Sequence, residues 1–142
     1  MSATLPPVLS DEAIERFTAA LGAHAVLLEE AQRDEYRDPY WFKGDRTYDS
    51  SAVLLPSSTE EVQAVVRIAN ELGVALWTSS RGKNLGYGGP SPRVRGSAVV
   101  SLNRMDRVLE INSDLAYAVV EPGVRWFDLY EAIQAGGHKL SV

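Results

Sequence analysis

Two short apolar runs separated by one amphipathic helix constrain this chain more than any other feature. Ser51-Ala-Val-Leu-Leu-Pro56 is apolar along its middle, as expected of a strand buried on both faces. Within Ser57-Ser-Thr-Glu-Glu61, Ser58 and Glu61 form a capping box in which each side chain accepts from the other residue's free backbone N–H. Val62, Val65, Val66, Ala69 and Leu72 mark one helical face, and Gly73 stops the helix. Val74 to Trp77 is the second apolar run. Strand, helix and strand in about 27 residues read as a βαβ unit with a right-handed crossover, because parallel strands need a crossover connection.

The stretch directly after that unit is chemically distinctive. Ser79-Ser-Arg-Gly-Lys-Asn-Leu-Gly-Tyr-Gly-Gly-Pro-Ser-Pro92 places Gly82, Gly86, Gly88 and Gly89 within eight residues. Clustered glycines let successive N–H groups converge on an anion, and Arg81 and Lys83 add positive charge. A flexible surface loop is the competing reading for such a stretch. Its position past the carboxyl end of a parallel strand, where open α/β sheets bind ligands, favours the anion site. The loop lacks the Gly-Lys-Ser/Thr of a Walker A motif. A dinucleotide fingerprint would follow the first strand and open a helix, whereas Pro90 and Pro92 oppose a helix here.

The flanking segments supply the remaining elements. Ser10 to Leu21 reads as a helix capped by Ser10 or Asp11, with Ile14, Phe17 and Leu21 on one face and Gly22 as its stop. A weaker helix is expected around Glu29 to Tyr36, followed by an extended aromatic segment, Arg37 to Phe42, that either packs on the surface or lines a pocket. Ser97 to Leu102 reads as a further strand. Arg107 to Ile111 and Leu115 to Val120 flank a turn at Asn112-Ser-Asp114 and form a hairpin. Glu121-Pro122-Gly123 is a tight turn in which Gly123 is expected to supply a positive φ. Trp126, Phe127, Leu129, Tyr130 and Ile133 give a last helix ending at Gly136-Gly137. A parallel unit followed by an antiparallel hairpin makes the fold α+β.

Composition removes several classes. A net charge of −5 argues against nucleic acid as a partner, and the chain has no cysteine for a disulfide or thiolate metal site. His24 and His138 stand apart, with no ligand-spaced cluster around either, so no metal is expected. No apolar run approaches the roughly 20 residues that span a bilayer, and no signal peptide is visible, so no membrane partner and a cytoplasmic location are expected. The 142 residues end on an apolar alternation just beginning after Gly136-Gly137, which reads as a piece of a longer protein. No paired-carboxylate or nucleophile-elbow signature appears. The residues themselves describe an anion-binding loop whose reactive partners lie elsewhere. Cofactor binding in an enzyme is one reading; a non-catalytic nucleotide-binding, anion-binding or interaction module is the alternative.

Three motifs in order carry a family resemblance. The Ser80 to Ser97 stretch with its Gly-Tyr-Gly-Gly loop, then Arg104-Met-Asp-Arg-Val-Leu-Glu-Ile111, then Ala116-Tyr-Ala-Val-Val-Glu-Pro-Gly-Val124, resemble the vanillyl-alcohol oxidase and p-cresol methylhydroxylase (PCMH) flavoprotein family. The likeness is strongest to eugenol oxidase-like members that oxidise 4-alkylphenols, and it runs from about Tyr36 to the end. It implies a PCMH-type FAD-binding domain: a βαβ subdomain, then the start of an antiparallel-sheet subdomain. Residues 1–50 would be a helical and extended segment, and residues 51–142 the incomplete FAD-binding domain.

The resemblance also implies roles. The pyrophosphate loop would comprise Ser79, Ser80, Arg81, Gly82, Lys83, Asn84, Leu85, Gly86, Gly88 and Gly89, with Glu121, Pro122 and Gly123 near the adenosine half of FAD. Tyr87 would hydrogen-bond the phenolic oxygen of the substrate, or else pack under the loop. The implied reaction is hydride loss from the benzylic carbon of a bound phenolate to flavin N5, giving a quinone methide. A small phenolic substrate, a homodimer or larger homo-oligomer, and either oxygen or cytochrome c as electron acceptor go with it. Arg81 and Pro90 depart from the family pattern of a small residue and an alanine. The absence of histidine between Ser79 and Gly89 excludes covalent flavin attachment from this loop.

Overall fold

The structure is a computed structural model that describes residues 9–40, 42, 44–83 and 89–140. Its first helix, α1 (Asp11–Leu21), starts where Ser10 accepts from the Ala13 N–H at 3.2 Å and ends at Gly22, whose N–H donates to Thr18 O. A short turn leads into β1 (Val26–Leu27), and α2 (Glu30–Asp34) is a single turn and a half, shorter than its sequence pattern suggested. Its apolar face is too thin to stabilise a longer helix. β2 (Ala52–Leu54), α3 (Thr59–Leu72) and β3 (Leu76–Ser79) are the expected strand, helix and strand, with β3 displaced two residues toward the glycine loop.

The capping of α3 differs in one hydrogen bond. Ser58 Oγ accepts from the Glu61 N–H at 3.2 Å, but the Glu61 carboxylate reaches back to the N–H of Ser57 at 2.7 Å and not to that of Ser58. Gly73 ends the helix in the left-handed region at φ 66. Val65, Ile68 and Ala69 are the residues that α3 buries, while Val66, expected on that face, turns to solvent. An apolar face centred on Val65 and Ala69 spans about one residue fewer than the five-residue pattern assumed.

Strand order is the main departure from the simplest βαβ picture. The sheet runs β1-β2-β4-β3, with β4 (Ala98–Ser101) inserted between the two strands that α3 connects. β2 and β3 both lie parallel to β4, and β1 closes the far edge antiparallel to β2. The reason is in the side chains. All four residues of β4 are buried, whereas β3 is partly exposed, so the more apolar strand takes the centre. Phe17 and Leu21 of α1, Val65 and Ile68 of α3, and Ala52, Leu54, Ala98 and Val100 of the sheet share one core. Val53 and Val99 point to the opposite face by strand alternation and are also fully buried.

The chain then forms a separate antiparallel hairpin, β5 (Val108–Asn112) and β6 (Tyr117–Val120), with a bulge between Val108 and Glu110. The turn falls at residues 113–116, later than expected, and Ala116 takes a positive φ of 53. Asn112 Oδ1 accepts from the Leu115 N–H at 2.9 Å, which holds that turn from its first side. α4 (Trp126–Ala135) comes last, its first turn held by Asp128, which accepts from the Arg125 N–H at 2.9 Å. Among the described residues no helix is long and apolar enough to cross a membrane.

Candidate cofactor cleft

The parallel strands β3 and β4 end side by side, and their C-terminal extensions build a cleft. Leu102 N–H donates to Ser79 O at 2.9 Å, so the first residues of the two exits are tied together. Ser80 Oγ then donates to Pro122 O, and Arg81 Nε donates to Gly123 O at 2.6 Å. These two bonds fasten the start of the glycine loop to the turn at the base of the hairpin. Arg81 is thus a latch as well as a cation.

The same turn is where the expectation for Gly123 fails. Gly123 is not among the glycines with positive φ. Its need for glycine is one of space: a Cβ there would lie 2.5 Å from Leu102 O and 2.7 Å from Met105 O. The turn after β4 presses on the Glu121-Pro122-Gly123 turn from above, and the Gly123 N–H donates to Met105 O at 2.7 Å. Glu121 is buried and fully engaged, accepting from the Arg107 backbone N–H at 2.8 Å and from its guanidinium at 2.7 Å. Those two donors hold the Glu121 carboxyl below the usual glutamate range. Arg125 does the same for Asp128 through its side chain and backbone N–H, bringing that carboxyl down to about 2.

The glycine loop has a closed neck. Gly82 adopts φ +65, and a Cβ on it would meet the Pro90 ring at 2.7 Å. Pro90 therefore forms the wall against which Gly82 packs. At the other side a Cβ on Gly89 would fall 2.1 Å from Asp38 Oδ2. Trp77 Nε1 donates to Gly89 O at 3.1 Å, and Ser91 Oγ accepts from the Asp38 N–H at 2.8 Å. The segment after α2, expected to be extended, instead turns at residues 39–40, where Asp38 Oδ1 accepts from the Tyr40 N–H, and is recruited to the loop: Arg37, Asp38 and Pro39 line a cavity of about 480 Å³ with Lys83, whereas Tyr40 and Phe42 are exposed. Trp41, Asn84, Leu85, Gly86, Tyr87 and Gly88 lie outside the described residues.

A second cavity of about 310 Å³ is the cleft itself. Ser79, Arg81, Gly82, Lys83 and Pro90 line it together with Glu35, Tyr36, Asn103 and Arg125. Ser79, Arg81, Gly82 and Lys83 were expected here. Glu121, Pro122 and Gly123 do not line this cavity; through the Pro122 and Gly123 carbonyls they anchor the loop that does. Tyr36, Asn103 and Arg125 escaped the sequence reading, yet Asn103 had a usable signal, since it stands just past the carboxyl end of a buried strand. Three cations, Arg81, Lys83 and Arg125, and one carboxylate, Glu35, line this space with Gly82, and Asn103 among them has a buried amide oxygen with no partner among the described residues. That donor and acceptor set suits a sugar diphosphate. Among the described residues no group of three or more His, Asp or Glu is placed to hold a metal ion.

Comparison with known proteins now decides the family. The sequence model of the FAD binding domain matches residues 50–142. The chain belongs to this FAD-binding domain family. It is 36% identical over 124 residues to the 4-cresol dehydrogenase [hydroxylating] flavoprotein subunit of Pseudomonas putida, covering 87% of this chain and 24% of that protein. It is 38% identical over 130 residues to 1'-carboxy-chondrochloren decarboxylase of Chondromyces crocatus, covering 92% of this chain and 24% of that protein. Among solved structures, 4-ethylphenol oxidase from Gulosibacter chungangensis in its isoeugenol complex superposes with a TM-score of 0.89 at 47% identity, over 98% of this chain and 28% of that one. The PCMH-type fold and FAD as the cofactor follow from these matches. The chain spans about a quarter of the length of the relatives it matches.

Proposed function

We propose that this chain is the FAD-diphosphate-binding part of a flavin-dependent oxidoreductase that oxidises 4-alkylphenols. The observation that carries the proposal is the convergence of the β3 and β4 exits on one cleft bearing Arg81 and Lys83, with the start of the loop tied to the Pro122-Gly123 turn. Residues 51–142 would supply most of the cofactor-binding part, with α1 and β1 packed into the same core and Glu35 and Tyr36 lining the same cleft. The phenol class is supported by two relatives, one named for 4-cresol and one for 4-ethylphenol. A relative of similar identity is named a decarboxylase, so the oxidoreductase reading rests on the two phenol-named relatives and on the test below.

Bound FAD supplies the two-electron acceptor for the reaction. The chain's own contributions are positioning and charge. Arg81 and Lys83 offset the charge of the diphosphate, the loop N–H groups hydrogen-bond it, and the Gly82–Pro90 contact brings the two ends of the loop together. Tyr87 donates its hydroxyl to the phenolic oxygen and stabilises the phenolate. The acceptor of the electrons is oxygen or a cytochrome c, separable by whether reduced flavin reoxidises in air alone.

The test uses the full-length protein under anaerobic conditions. Adding 4-ethylphenol or 4-cresol is expected to bleach the flavin absorbance. No bleaching with any 4-alkylphenol contradicts the substrate class. Tyr87→Phe is expected to raise the phenol's dissociation constant roughly tenfold or more, the worth of a hydrogen bond to a charged oxygen, with flavin content unchanged. Loss of flavin in that variant would instead make Tyr87 a support of the loop.

A further inference from the structure

One polar atom in the cleft has no structural use. Asn103 stands two residues past the end of β4, half-buried, with its Nδ2 donating to Tyr36 Oη at 3.4 Å. Its Oδ1 is buried and has no hydrogen-bond partner among the described residues. A buried amide oxygen left unpaired is costly, so native folds pair nearly all of them. The turn around Asn103 does not need that oxygen. Backbone bonds already close it, Met105 N–H to Leu102 O at 3.0 Å and Gly123 N–H to Met105 O at 2.7 Å. Asn103 is one of the residues that line the same cavity as Arg81, Lys83 and Ser79.

We propose that Asn103 is a cofactor-binding residue whose amide pairs with a hydroxyl of the sugar chain flanking the FAD diphosphate. The inference rests on the FAD reading above and adds a contact to it. An accepting oxygen needs a donor, which excludes the phosphate oxygens; of the donors FAD carries, the ribose and ribityl hydroxyls are the ones that flank the diphosphate. A hydroxyl donates and accepts, so it satisfies the amide whichever end faces it. Arg81 and Lys83, which line the same cavity, serve the phosphates. Tyr36 holds the other end of the amide and keeps it turned into the cleft.

The experiment titrates full-length protein, produced free of flavin, with FAD and follows flavin fluorescence. Asn103→Leu keeps the shape and removes the hydrogen bonding. It is expected to raise the FAD dissociation constant about tenfold. The melting temperature of its flavin-free form is expected to stay equal or rise, because the unpaired oxygen is gone. Inorganic pyrophosphate is expected to compete for both proteins with the same affinity. Should Asn103→Leu fail to fold, Asn103→Ala carries the same expectation for FAD and for pyrophosphate. An unchanged FAD constant overturns the proposal, as does a lower melting temperature with no change in binding. A matching loss for pyrophosphate overturns the hydroxyl assignment. Wild-type protein that takes up no FAD overturns the FAD reading itself and this inference with it.

Discussion

The α1–α3–sheet region and the hairpin–α4 region have similar apolar patterns and opposite fates. In the first, Phe17 is fully buried between helix and sheet, together with Leu54, Val65 and Ala98. In the second, Phe127 is 77% exposed, and Leu109, Leu115, Tyr117, Trp126 and Tyr130 face solvent beside it. The difference is one of layers. Within these residues two helices cover one face of a four-stranded sheet, whereas among the residues of the hairpin and α4 only Leu129 and Ile133 are buried. An apolar pattern marks where a core can form, and only topology says whether it does. The cofactor cleft lies at the seam of the two regions, held by the Ser80–Pro122 and Arg81–Gly123 bonds.

The same substitution on each side puts that contrast at risk. Phe17→Ala is expected to cost about 3–5 kcal/mol of unfolding free energy, since it empties a fully buried site. Phe127→Ala is expected to change stability by no more than about 0.5 kcal/mol. Urea denaturation of both variants decides it. A comparable cost at Phe127 would mean its ring is covered in solution and the contrast is wrong.

Substitution at the seam comes next in size. Gly123→Ala drives a Cβ into the carbonyls of Leu102 and Met105, both backbone, and is expected to cost about 1–3 kcal/mol. It should also weaken FAD binding, because the turn that must move carries Asn103. Full FAD affinity in a destabilised Gly123→Ala protein would uncouple the seam from the site.

The smallest effect concerns acid. Arg107's guanidinium and then its N–H hold the Glu121 carboxyl below its ordinary 4.5. A carboxyl depressed in the folded state contributes stability that is complete above that ordinary value and is lost as pH falls through the folded one. Asp128 follows the same course between 3.8 and about 2. Glu121→Gln should therefore be less stable than wild type at about pH 7, with the gap closing as pH falls below about 4.5. Thermal melts across that range check it. A gap of constant size would remove Glu121 as the ionised clasp of the hairpin base.

How much of the molecule was legible in the sequence depends on the range of the interaction that decides each feature. Local features were readable: the Ser10 and Ser58 caps, the Gly22 and Gly73 stops, the hairpin, and the loop at a strand's carboxyl end. Features set by what packs across from them were not. The insertion of β4 between β2 and β3 is invisible in strand order, because adjacency depends on which strand is buried on both faces. Val66 and Ile68 exchanged roles because a helical period does not say where the facing layer sits. Gly123 was read as a φ requirement when its cause is the approach of another turn, some twenty residues earlier in the chain. Asn103 and Tyr36 joined the site for the same reason: their meeting spans 67 residues of sequence.

The central claim is that the FAD diphosphate occupies the cleft between the exits of β3 and β4. Amide hydrogen exchange of the flavin-free full-length protein, with and without ADP, tests it most directly. Slower exchange in residues 79–83 and 102–105, with α1 unchanged, is the expected result. Protection confined to other segments, with those two unaltered while ADP is bound, would contradict it.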